Sequence, residues 1–154
     1  MNRFYRLEHI LVPVDGSEYS HYAAQHAVRI AQAHDADVIF LHVVDEQVVA
    51  DLAQQVSDDG PLQARERLRE NGQAYLRDCA RLAEERQVQH REEIAEGDPA
   101  AVVCSTAVER HVDLIVMGKI GRRGARRIVM GSITRRVAES TDRPLLIVTG
   151  PPAE

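Results

Sequence analysis

The sequence predicts an α/β fold: a five-stranded parallel sheet with helices on both faces, in which an order of 3-2-1-4-5 would put the reversal between strands one and four. Three observations lead there. Short apolar runs rich in β-branched residues alternate with amphipathic helical stretches along the whole chain. Parallel strands joined by right-handed crossovers leave few topologies for such units. A glycine-bearing loop lies between the fourth strand and the last helix, and crevices in such sheets open beyond the carboxyl ends of strands, where strand order reverses.

The first strand is His9 to Val14, closed by Pro13, Asp15 and Gly16. Ser17 can cap the next helix, whose apolar positions Ala23, Ala24, Ala27, Val28, Ile30 and Ala31 keep helical spacing. Asp35-Ala36-Asp37 ends it, and Val38 to Val44 is the second strand. Asp45 to Gly60 has weak periodicity and several acids, and is expected as a mobile connection with at most a short helix near Val48 to Gln54. A long helix follows from about Pro61 to Arg86, with Leu68, Gly72, Tyr75, Leu76, Cys79, Leu82 and Ala83 on one face.

Val88 to Ala95 is the third strand, less hydrophobic than the others and so expected at a sheet edge. Asp98 and Pro99 are the cap and first position of the helix that carries Ala101 to Val108. The fourth strand is Asp113 to Met117, the last helix Ile133 to Ser140, and the fifth strand Leu145 to Thr149. Gly150 to Glu154 reads as a frayed tail.

At 154 residues the chain is expected to form a single domain, residues 1–154. Its net charge of -5 argues against a nucleic-acid or membrane-surface role, since both favour basic surfaces. No apolar run approaches the ~20 residues that span a bilayer, and no charged leader precedes an apolar stretch, so the expected location is the cytoplasm. Cys79 and Cys104 fit reduced, partly buried thiols. The seven histidines show no metal-site spacing; His42, on the second strand beside the expected crevice, is the one to follow.

The chemistry concentrates near the C-terminus. Gly118 and Gly121 are separated by two residues, Gly121 and Gly131 by nine, and Ser132 follows at once. A glycine loop between a strand end and a helix start exposes backbone N–H groups, and the helix N-terminus adds partial positive charge; together they suit phosphate. Gly118 and Gly121 are expected to turn with positive φ and let the main chain approach a ligand. Arg122, Arg123, Arg126 and Arg127 lie inside this loop, either as a solvated run or as a phosphate cradle. A dinucleotide fingerprint is absent, because the first-strand turn has only Gly16. Gly118-Lys119-Ile120 does not supply a P-loop, and the aspartate and lysine positions of a phosphorelay receiver are missing.

The residues instead resemble the universal stress protein family across nearly the whole chain. The match runs through Ile10-Leu11-Val12-Pro13-Val14-Asp15-Gly16-Ser17, Leu41-His42-Val43-Val44 and Gly97-Asp98-Pro99. It continues through Asp113-Leu114-Ile115-Val116-Met117-Gly118, Gly131-Ser132-Ile133-Thr134 and Arg143-Pro144-Leu145-Leu146-Ile147-Val148. The intact glycine spacing resembles the ATP-binding subgroup, and the family implies an adenine nucleotide alpha hydrolase-like fold.

By that resemblance Pro13, Val14 and Asp15 line an adenosine pocket, Asp15 near the ribose or a phosphate-bound Mg²⁺. The backbone around Val43 meets the adenine edge. Met117, Gly118 and Gly121 contact ribose and first phosphates. Gly131, Ser132 and Ile133 bind phosphates, and Arg127 joins the nucleotide-binding set. The family also implies a homodimer paired through Leu145 to Thr149. Lys119 and Ile120 depart from the small hydroxyl and polar residues usual between the first two glycines, which leaves ATP, ADP, AMP and cyclic AMP all open.

The function so implied is a cytoplasmic sensor that binds an adenine nucleotide and signals through a regulatory protein partner. Two alternatives stand beside it: a slow Mg²⁺-dependent ATPase using Asp15, and a dimeric interaction module with a vestigial nucleotide site.

Overall fold

The structure is a computed structural model that describes residues 6–55, 60–121 and 130–154. Arg122, Arg123, Arg126 and Arg127 lie outside the described residues. The elements are β1 (His9–Pro13), α1 (Glu18–His34), β2 (Asp37–Asp45), α2 (Glu46–Ala53), α3 (Gly60–Glu85), β3 (His90–Gly97), α4 (Pro99–Glu109), β4 (Leu114–Gly118), α5 (Ser132–Ser140) and β5 (Leu145–Val148). The strands form one sheet of order β3-β2-β1-β4-β5, every pair parallel. This is the expected order, with β3 at an edge as its polar composition implied.

Alternate residues of each strand point to opposite faces, and two apolar layers result. On one face Ile10, Val12, Val14, Val38 and Phe40 pack against Ala24, Ala27 and Val28 of α1 and Leu76, Cys79 and Ala83 of α3. On the other, Leu11, Ile39, Leu41 and Ile115 meet Ala100, Val103 and Ala107 of α4 and Val137 of α5. Alanines on the helices let them sit close to a sheet of large β-branched side chains. At the amino ends of the strands, the Asp113 carboxylate accepts from the N–H groups of Glu8 and His9, both at 2.9 Å, which sets β4 beside β1.

Helix starts follow the local sequence. Ser17 caps α1, accepting from Ser20 N at 3.1 Å. Asp98 caps α4, accepting from Ala101 N at 3.0 Å, with Pro99 in the first turn. The short helix expected near Val48 to Gln54 is present as α2, starting two residues earlier and directly after β2. Asp45 ends the strand and at once caps α2 through Gln47 N at 2.9 Å, and Val49 buries that short helix. Residues 56–59 lie outside the described residues.

The expected frayed tail is overturned. His26 Nε2 donates to the Gly150 carbonyl at 3.1 Å and Arg29 donates to the Ala153 carbonyl at 2.8 Å, so the last residues lie along α1. Both cysteines are free thiols; burial pushes Cys79 up to about 12, which keeps it protonated and inert. Among the described residues no helix is long and apolar enough to cross a membrane.

Candidate functional site

Strand order reverses between β1 and β4, and the chain leaves both strands at the same, carboxyl, end of the sheet. From β1, Val14 N–H donates to Leu41 O at 2.8 Å, after which the chain turns through Asp15 and Gly16 into α1. Gly16 has φ 81, a value that favours glycine. The Asp15 carboxylate folds back over its own turn: Oδ1 accepts from Ser17 N at 3.0 Å and from Ser17 Oγ at 2.5 Å. Its other oxygen faces the glycine motif. A Cβ on Gly121 would fall 2.7 Å from Asp15 Oδ2.

The glycine motif is stitched at its base. Gly131 N–H donates to Lys119 O at 2.8 Å, and Lys119 N–H donates to Val148 O at 2.8 Å. Thr134 Oγ1 donates to Gly118 O at 2.9 Å, tying the first turn of α5 to the end of β4. Gly118 itself abuts α1, where a Cβ would come within 2.6 Å of Tyr19 Cβ and 2.8 Å of its carbonyl oxygen.

The expectation of positive φ at Gly118 and Gly121 is therefore corrected. Among the described residues the glycines with positive φ are Gly16 and Gly97. Gly118 and Gly121 are required because Tyr19 and Asp15 occupy the volume a side chain would need. The Gly131 N–H is likewise already committed to Lys119 O. The N–H groups of Ser132, Ile133 and Thr134, in the first turn of α5, have no intrahelical acceptor and can face an anion.

The structure thus brings Asp15, Gly118, Gly121, Gly131 and Ser132 to one crevice mouth, with Ser132 exposed at the start of α5. Pro13 ends β1, and Val14 follows it with its side chain buried in the core. Val43 lies two residues past the last β1–β2 pair, Pro13↔Leu41, and so borders the crevice from the β2 side. Met117 and Ile133 send their side chains into the core shared with α4 and α5, and the Met117 backbone lies in the β4–β5 ladder opposite Ile147. Arg127 is outside the described residues. Thr134, Tyr19 and Tyr75, whose ring covers Gly16, were not singled out for the site from the sequence; each acts through a contact made across distant parts of the chain.

Beside the crevice, Arg136 of α5 grips the Asp98 carboxylate with two bonds of 2.9 and 2.7 Å. That guanidinium, and then the Ala101 N–H, hold the Asp98 pKa below its usual 3.8. Among the described residues no three of His, Cys, Asp and Glu gather as a metal site.

A family model described as the universal stress protein family matches residues 6–149. The chain belongs to the universal stress protein family. Universal stress protein MJ0531 of Methanocaldococcus jannaschii is 38% identical over 145 residues, covering 94% of this chain and 84% of that one. The solved structure of protein MJ0577, from the same organism, superposes with a TM-score of 0.83 at 24% identity, covering 97% of this universal stress protein and 100% of that chain. A universal stress protein solved in complex with cAMP gives 0.69 at 23% identity, covering 94% and 98%. The universal stress protein of Archaeoglobus fulgidus in complex with dAMP gives 0.63 at 18%, covering 94% and 100%. At these identities the structural likenesses establish the fold, and they agree with the sheet order seen here.

Proposed function

We propose that this universal stress protein binds an adenine nucleotide between the Asp15 turn and the Gly118–Gly131 motif, and works in the cytoplasm as a stress-response regulator through a protein partner. The observation that carries the reading is the approach of Gly121 to Asp15. Two loops from β1 and β4 meet at the strand-order reversal, with no room for a Cβ between the carboxylate and the glycine. The same crevice ends at the start of α5, where first-turn N–H groups and the helix dipole favour phosphate. The cAMP and dAMP complexes of two proteins of this fold support the adenine class.

In this reading Pro13, Val14 and the Val43 backbone border the base, and Asp15 takes the ribose or a Mg²⁺ carried in on the phosphates. The Met117, Gly118 and Gly121 backbone follows the ribose and first phosphate. Gly131 sets the geometry from which Ser132 and Ile133 donate, and Arg127 adds charge. ATP, ADP, AMP and cyclic AMP all present the groups these residues take. The proposal includes one domain and a homodimer formed along β5, and it assigns the site to binding rather than turnover.

Isothermal titration with each of the four nucleotides, with and without Mg²⁺, tests it. Ser132→Asp is the control of choice, since a carboxylate at the start of α5 suits the helix dipole but repels phosphate. Binding by the natural protein, weakened at least about tenfold in Ser132→Asp, is the expected result. No binding at millimolar nucleotide would overturn the reading and leave a dimeric interaction module.

A further inference from the structure

We propose that His42 is a positioning residue that fixes the Val14–Asp15 peptide from outside the loop, and with it the carboxylate at the crevice mouth. The β1–β2 pairing ends at Pro13↔Leu41. The next carbonyl, that of Val14 just past β1, lies 2.6 Å from His42 Nδ1. A carbonyl only accepts, so Nδ1 carries the proton, and the neutral ring is the Nδ1–H tautomer with Nε2 bare. The carbonyl of Val14 and the N–H of Asp15 belong to one planar peptide unit, so holding the first aims the second.

The ring is itself held. Gly72 of α3 offers no Cβ, and the Cδ2 edge of His42 occupies the volume one would fill. Gly72 thus serves a helix-to-sheet contact. One turn further along α3, Tyr75 meets His42 edge-on, with centroids 5.7 Å apart and planes at 68°. The Tyr75 ring also covers Gly16, where a Cβ would sit 2.5 Å from Cζ. Asp15 therefore lies between two backbone units, Val14 C=O and Gly16 Cα, each held by a side chain from β2 or α3. Displacement of α3 would reach Asp15 through both.

The inference rests on the nucleotide reading for its functional consequence, but its geometry can be tested apart from it. His42→Phe keeps an aromatic ring against Tyr75 and Gly72 but removes the donor. His42→Asn loses the ring but keeps an N–H donor at the place of Nδ1. Long-range ¹H–¹⁵N spectra of the natural protein at pH 8 should show a protonated Nδ1 and a bare Nε2; the opposite tautomer overturns the proposal. With ATP as the probe, His42→Phe should bind about tenfold more weakly than the natural protein, while His42→Asn stays within about twofold. Any other ranking overturns the proposal.

If the natural protein binds no ATP, the nucleotide reading has failed, and amide spectra decide the positioning role by themselves. Asp15, Gly16 and Ser17 amide signals should then broaden or split in His42→Phe and remain single and sharp in His42→Asn, and single sharp signals in both would refute it. Circular dichroism and thermal melts establish that each variant is folded.

Discussion

Thr134 carries more of the crevice than its size implies. It is 4% exposed, and its hydroxyl donates to the carbonyl that ends β4. Thr134→Val keeps the shape and leaves that carbonyl without this donor. An unsatisfied buried acceptor costs about 1–3 kcal/mol, so urea unfolding of this variant should show a loss in that range with an unchanged m-value. A loss below about 0.3 kcal/mol would mean that solvent replaces the hydroxyl there. Tyr19 and Asp15 make a related argument: Gly118 and Gly121 are glycines because neighbours fill the space beside them, not because the chain needs an unusual φ. Spacing alone identifies the positions but not that reason.

Helices α4 and α5 are joined by one ion pair whose acidic member also caps α4. Asp98 accepts from Ala101 N and from two nitrogens of Arg136. Its folded-state pKa is depressed below 3.8, first by the Arg136 bonds. The sign follows: a carboxylate favoured in the folded state stabilises it fully above the ordinary value, and that contribution is lost as pH falls through the lower folded value. Both side chains are about half exposed, so solvent screening keeps the pair's contribution small. Asp98→Asn keeps a capping oxygen and loses the charge. Chemical denaturation should find it slightly less stable than the natural protein at pH 7. The gap should narrow progressively below pH 3.8. A gap that stayed constant to pH 2 would remove the charge from the account.

Across the molecule as a whole, the sheet ends on one side at β5, whose Leu146 is 37% exposed. An apolar edge strand is a template for another chain unless something covers it. The proposed homodimer covers it with a second copy. Sedimentation equilibrium should therefore give a dimer for the natural protein and a monomer for Leu146→Lys, since a lysine at a paired edge opposes strand addition. A natural protein that sediments as a monomer at micromolar concentration would refute the dimer.

Alternation of apolar runs with amphipathic helices was enough to determine a parallel sheet covered by helices on both faces and the edge position of β3, because those follow from hydrophobic period and composition, both local properties. Glycine spacing likewise singled out the loop that meets Asp15. Tertiary structure alone decided the rest. Asp45 caps α2 directly after β2, two residues ahead of the short helix that the sequence marked. His26 and Arg29 hold a tail that composition marked as loose. Tyr75 reaches Gly16, and His42 reaches the Val14 carbonyl. Each depends on a contact between residues far apart in the chain, and periodicity, propensity and spacing describe only what is near in sequence.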